Sequence, residues 1–129
     1  MVSSESTEMY LETIYVLKNR NGRVRAVDIA TEMGYSKPTI SEWMNKLRRE
    51  GYIDPEEGRN IVLTEKGEAL AAKTYERHTV LTALFRALGV SDEVAEEDAC
   101  RVEHYISDET FAALKAHGEE LAKDRKSVV

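Results

Sequence analysis

Cys100, Glu103 and His104 stand at i, i+3 and i+4 in the stretch DACRVEHYISDE, residues 98–109. On a helix these positions share one face, so a thiol, a carboxylate and an imidazole would project together. A packing face takes Leu or Ile, and a solvated face has no need of the only cysteine in the chain. Burying a carboxylate beside an imidazole requires a partner for its charge, and a metal ion supplies one. The trio therefore reads as half of a metal site. Two rival chemistries begin from the same residues: thiol oxidation at Cys100, and a hydrolytic zinc centre built from Cys, His and Glu. The zinc enzyme lacks a nucleophile, a general base outside the ligand set and a substrate pocket, so no enzyme is expected.

These residues need elements to position them. STEMYLETIYVLKNR has Met9, Tyr10, Ile14 and Leu17 at helical spacing and ends near an Asn-Gly pair. AVDIATEMG is a short amphipathic helix closed by Gly34. YSKPTISEWMNKLRREG opens with Ser36 as N-cap and Pro38 in the first turn, where a missing N–H costs nothing. The period then changes, and YIDPEEGRNIVLT predicts two short strands, Tyr52–Ile53 and Ile61–Leu63, joined by a turn. Thr64 caps a long helix ending at Gly89, Ser91 caps DEVAEEDACRVEHYI, and SDETFAALKAHGEELAK forms a last helix before a frayed DRKSVV tail.

Helix–helix–helix followed by a hairpin is the winged helix-turn-helix order. The fold class expected is mainly α, with a winged helix-turn-helix over residues 1–67 and a helical metal-binding and dimerisation domain over 68–129. Ser36, Lys37, Pro38, Thr39, Ser41 and Glu42 begin the third helix, and Lys46, Arg48 and Arg49 end it. Arg25 precedes the second helix, and Arg59 sits in the hairpin turn. This arrangement suits a helix N-terminus in the major groove and a wing over phosphates, with Arg25, Ser36, Lys37, Pro38, Thr39, Ser41, Glu42, Lys46 and Arg59 as the DNA contacts. Glu56 and Glu57 oppose that reading locally, because acidic groups repel phosphate. Met44 is expected in the core, and Trp43 at its edge or facing the groove.

The bulk numbers leave room for it. At 42% apolar and 33% charged, the 129-residue chain suits a helix-rich globular protein. A net charge of −6 argues mildly against nucleic acid, but it is unevenly placed. Residues 1–67 hold 10 Lys/Arg against 11 Asp/Glu, and residues 68–129 hold 8 against 13. The acidity lies in the half that carries the candidate metal ligands. A single cysteine, no membrane-length apolar run and no signal-peptide pattern at the N-terminus predict a cytoplasmic location without a membrane partner.

Four segments, TEMYLETIY, SKPTIS, ERH and EDACRVEHYISDE, occur in this order over residues 7–109. Through them the chain resembles the diphtheria-toxin-repressor family of metal-dependent transcriptional repressors, which has iron- and manganese-responsive members. It is similar to the shorter members that lack an SH3-like domain. The resemblance implies a primary metal site of Met9, Cys100, Glu103 and His104. Manganese-responsive members tend to carry carboxylates where Met9 and Cys100 stand. Two sulfur donors favour iron(II), with manganese(II) as the alternative and other divalent metals able to bind in vitro.

The resemblance leaves a second site open. His78 matches an ancillary histidine, Thr82 replaces a usual glutamate, and Glu96 replaces a histidine. Glu12 matches a carboxylate of the manganese-type members. A second ion would use Glu12, His78 and a shared Glu103, or His78 with Glu96. His117 has no such companions and reads as surface. The implied function is an iron-dependent homodimeric repressor of metal-uptake genes on a double-stranded DNA operator, with no small organic substrate. Metal would join the first helix to the Cys100 segment and shift the population toward the DNA-competent dimer. The alternatives are a manganese-responsive repressor and a winged-helix regulator sensing thiol oxidation or an organic ligand.

Overall fold

The computed structural model describes residues 4–55 and 59–127, excepting the side chains of 119 and 121–127. The chain divides into two compact units, Met1–Lys73 and Thr74–Val129.

Local capping chemistry sets the element ends in the first unit. Helix α1 (Glu5–Asn21) begins where the Thr7 N–H donates to Ser4 Oγ at 3.1 Å, and Gly22, at φ 83°, turns the chain out of it. Helix α2 (Ala26–Met33) begins at Arg25, whose N–H donates to Asp28 Oδ2 at 2.9 Å. Helix α3 (Lys37–Arg49) is capped by Ser36 Oγ, which accepts from the Thr39 N–H at 3.3 Å, with Pro38 in its first turn. Ser36→Ala removes that acceptor and is expected to cost about 1 kcal/mol in denaturant unfolding. An unchanged transition midpoint would mean the cap contributes nothing.

The apolar faces of the three helices meet in one core. Tyr10, Leu11, Ile14 and Leu17 come from α1, Ile29 from α2, and Ile40, Met44 and Leu47 from α3; Val24, Ile53, Ile61 and Ala71 close it. Met44 is thus in the core, as expected. Trp43 lies at its edge, half-buried, with its ring stacked on Tyr10 at 4.7 Å between centroids. Burial, and then the neighbouring Tyr35 phenol, raises the Tyr10 pKa above its ordinary 10.0. A raised folded-state pKa favours the protonated phenol in the fold. This contribution to stability is complete below the unfolded value and is lost as pH rises through the folded one. Alkaline unfolding followed from pH 9 upward should therefore set in at higher pH for Tyr10→Phe than for wild type.

The wing differs from the expected hairpin. Among the described residues, Tyr52–Ile53 and Ile61–Leu63 form no regular strands but two isolated antiparallel bridges, Ile53 with Leu63 and Arg25 with Asn60. The Asp54 N–H donates to Val62 O at 2.8 Å and the Thr64 N–H to Tyr52 O at 3.0 Å. Asn60–Ile61 then turns to the segment before α2, where the Ile61 N–H donates to Val24 O at 2.7 Å. Pro55 has no N–H with which to lengthen the ladder. The acidic wing tip expected at Glu56 and Glu57 lies outside the described residues.

Helix α4 (Glu65–Ala87) starts beside the wing. The Gly67 N–H donates to Thr64 Oγ1 at 3.1 Å, and the Thr64 hydroxyl donates to Gly51 O at 2.7 Å. Helices α5 (Asp92–Val102) and α6 (Asp108–Ser127) follow. Leu81, Leu84, Ala95, Ala99 and Phe111 supply the buried apolar residues of the second unit. The tail expected to fray from Asp124 is helical through Ser127. Among the described residues, six helices and the near-absence of sheet make the fold mainly α, as the periodicities predict. No helix among the described residues is long and apolar enough to cross a membrane.

Candidate functional site

The second unit gathers three of the titratable residues singled out from sequence. Glu103 has a side chain only 1% exposed, between two imidazoles. His78, from α4, places Nδ1 2.9 Å from Glu103 Oε2; a carboxylate accepts, so Nδ1–H donates. His104 places Nε2 3.3 Å from Glu103 Oε1, and its own side chain is fully buried. Among the described residues no donor makes a hydrogen bond to Glu103 Oε1. A buried carboxylate oxygen without a donor is costly unless a cation compensates it. One carboxylate and two imidazoles are a donor set that divalent transition metals accept. The Glu103 carboxylate and the His78 imidazole therefore fit a metal ion, whereas His104 adjoins Glu103 Oε1 but, among the described residues, joins no set of three such ligand atoms within 4.8 Å of one another.

The local backbone differs from the uninterrupted helix expected through Ile106. Helix α5 ends at Val102, and Glu103 is its C-cap residue, followed by a turn through His104 and Tyr105. Two features end the helix there. Ser107 Oγ accepts the Thr110 N–H at 3.1 Å and so caps α6, which requires the chain to change direction. Arg77 takes up the carbonyls that the turn leaves over, with Nη1 donating to Glu103 O at 3.1 Å and to Ile106 O at 2.7 Å. Cys100 alone of the opening trio stands within α5 proper. It is a half-buried free thiol. Among the described residues it joins no set of three His, Cys, Asp or Glu side chains with ligand atoms within 4.8 Å of one another.

Glu96 is exposed on α5 and belongs to no such set either. Thr82 is buried, and its hydroxyl donates to His78 O at 2.7 Å one turn back. His117 is exposed, with Glu120 4.0 Å from Nδ1, in accord with a surface role. Arg77 is the residue that sequence reasoning passed over. ERH drew attention through its histidine, while the arginine's partners lie 26 to 31 positions further along the chain.

In the first unit, Met9 and Glu12 occupy i and i+3 of α1, both half-buried. Met9 lines a cleft with Tyr10, Met33, Tyr35 and Trp43, surroundings that suit a thioether as packing. On α3, Lys37, Pro38, Ser41, Glu42 and Lys46 are exposed, and Thr39 is half-buried with its hydroxyl accepting from Ser36 Oγ at 2.9 Å. Lys46 Nζ sits 4.6 Å from the Trp43 ring centroid, a cation–π contact that holds the ammonium along the helix. Arg59 is exposed, and the Arg25–Asn60 bridge sets Arg25 beside the wing. Arg25 itself is half-buried.

Both halves of the chain match family models. Residues 3–61 match the one described as iron dependent repressor, N-terminal DNA binding domain, and residues 64–127 the one described as iron dependent repressor, metal binding and dimerisation domain. The chain belongs to the iron-dependent repressor family. This is the family of the diphtheria-toxin repressor, and its members are DNA-binding transcriptional regulators rather than enzymes. The chain is 37% identical over 111 residues to transcriptional regulator MntR of Escherichia coli O6:H1, covering 86% of this chain and 72% of that protein. It is 36% identical over 124 residues to an uncharacterized HTH-type transcriptional regulator of Methanocaldococcus jannaschii, covering 95% and 98%.

Among solved structures it resembles the manganese regulator SloR, with TM-score 0.74, 30% identity and 86% of this chain covered. It also resembles a manganese-dependent transcriptional repressor in complex with manganese, with TM-score 0.78, 26% identity and 88% covered. The chain spans about half the length of both solved proteins, 52% in each case.

Proposed function

We propose that this protein is a metal-dependent, DNA-binding transcriptional repressor whose activating ion is manganese(II). The observation that carries the reading is Glu103, a buried carboxylate between His78 and His104 with one oxygen unserved by any described donor. It lies in the part of the chain that matches a metal-binding and dimerisation model. The Glu103 carboxylate suits manganese(II), imidazole serves iron as well, and the specific preference for iron(II) expected from sequence rests on sulfur from Met9 and Cys100. Relatives named for manganese support the same choice. Glu12 and Met9 are the proposed contribution of α1, by their correspondence with family ligands. His78 and Glu103 would hold the ion, and His104, Cys100 or Glu96 would join the shell by rearrangement.

When bound, the ion supplies positive charge that compensates Glu103 and ties its ligands into one geometry. DNA recognition falls to the chain's own groups. Ser36, Thr39 and Ser41 offer short hydrogen-bonding side chains at the start of α3, Lys37 and Lys46 offer charge to phosphates, and Arg25 and Arg59 flank the groove from the wing side. A homodimer would present two such helices to a pseudo-palindromic operator, with metal-uptake genes as the regulated class.

Selection of bound duplexes from a randomised DNA library tests this reading, run with manganese(II), with anaerobic iron(II) and with chelator. An enriched palindromic sequence recovered with manganese(II) and lost with chelator is the expected result. Equal enrichment in chelator would refute metal activation, and enrichment with iron(II) alone would restore the sulfur-based choice of ion.

A further inference from the structure

Arg77 stands on α4 next to His78, and its guanidinium is buried, with the residue 8% exposed. It makes three polar contacts among the described residues, two to the segment between α5 and α6 and one to Asp108, the first residue of α6. Nη1 donates to Glu103 O at 3.1 Å and to Ile106 O at 2.7 Å, and Nη2 donates to Asp108 Oδ1 at 2.5 Å. The guanidinium also lies 5.4 Å from the Phe111 ring centroid, which fixes its plane from the α6 side. The first contact is to the backbone of the residue whose carboxylate lies between the two imidazoles. The others fix the far end of the turn that carries His104.

We infer that Arg77 is a positioning residue for the metal ligands, setting the backbone at Glu103 and His104 so that the Glu103 carboxylate faces both His78 and His104. The inference rests on the proposed ligand role of Glu103 and His104. The planar fork of the guanidinium matters, because two carbonyls and a carboxylate are met at once from fixed directions. A lysine carries the same charge on a flexible stem and cannot reproduce that geometry. The side chain does not touch the ion itself. Its charge opposes a bound cation, so electrostatics alone predicts that removing it strengthens metal binding. Positioning predicts the reverse, and the two accounts differ in sign.

Manganese(II) binding, read from the electron paramagnetic resonance signal of the free ion, separates them. The variants are Arg77→Gln, Arg77→Lys and Asp108→Asn, with Glu103→Gln as the reference and circular dichroism without metal to confirm that each is folded. Loss of an orienting partner around a metal costs about 10- to 100-fold in affinity, and Arg77→Gln should fall in that range. Arg77→Lys should lose roughly tenfold despite keeping its charge, because it keeps only part of the fork.

Asp108→Asn alters a carboxylate that is 76% exposed, so it tests the clamp without emptying the interior. It should weaken binding several-fold and broaden the spectrum of the bound ion. Affinity equal to or above wild type in folded Arg77→Gln, with Glu103→Gln impaired, overturns the positioning role alone. If Arg77→Gln fails to fold, wild-type affinity and spectrum in both Arg77→Lys and Asp108→Asn overturn it instead. Unchanged binding by Glu103→Gln overturns the ligand reading beneath it.

Discussion

Glu103→Gln is expected to lower manganese(II) affinity by at least about 100-fold while leaving the metal-free protein as stable as wild type, or more so. The two halves of this result share one cause. The Glu103 carboxylate is 1% exposed, and Oε1 is without a donor among the described residues, so in the metal-free state its charge is poorly compensated. Glutamine keeps the shape and leaves an oxygen able to accept from His78 Nδ1, which lies 2.9 Å from the carboxylate. It removes the net charge that makes both burial costly and metal binding favourable. Loss of 100-fold corresponds to about 2.8 kcal/mol at 1.4 kcal/mol per factor of ten. Calorimetric titration with manganese(II), paired with thermal unfolding in chelator, measures both quantities. A variant much less stable in chelator would show that Glu103 serves the fold rather than the ion.

Gly67→Ala is expected to destabilise the protein by about 3 kcal/mol, at the upper end of overpacking costs. A β-carbon at Gly67 would stand 2.0 Å from the Tyr52 carbonyl oxygen and 2.9 Å from its carbonyl carbon. Both are backbone atoms, and the carbonyl is held in place by the Thr64 N–H at 3.0 Å. Lys66 fastens the same junction, with Nζ donating to Glu50 O at 2.7 Å and lying 4.3 Å from the Tyr52 ring centroid. The start of α4 therefore cannot retreat without loosening the wing. Helix propensity alone gives the opposite sign, since Ala is favoured over Gly by about 1 kcal/mol in a helix interior. Urea unfolding decides between them, and a midpoint raised by the substitution would contradict the close contact.

The helices were legible because their signals are local. Ser36 and Pro38 mark the start of α3, Gly34 marks the end of α2, and the apolar residues of α1 and α3 repeat at the helical period. The end of α5 was not legible in this way. Cys100, Glu103 and His104 fit a helical face by spacing, yet the helix stops at Val102 because Ser107 caps the next one and Arg77 holds the turn. Those partners are distant in sequence or belong to the following element.

The wing was misread for a related reason. Alternation over two or three residues cannot distinguish a hairpin from single bridges, and the Asn60–Ile61 backbone pairs with Val24–Arg25 rather than extending the ladder. In the site, Glu103 and His104 were identified by type and spacing and His78 through the family resemblance, and the structure places each histidine against Glu103. Cys100 was identified by the same spacing and as the only cysteine, and neither signal says where its sulfur lies.

The coupling of metal to DNA affinity is the centre of the account. Fluorescence anisotropy of a labelled duplex carrying the selected sequence, titrated with protein in manganese(II) and again in chelator at fixed ionic strength, tests it most directly. Tight, saturable binding with manganese(II) and a loss of at least about tenfold in chelator, a coupling near 1.4 kcal/mol, is the expected result. Identical binding curves in manganese(II) and in chelator would contradict it.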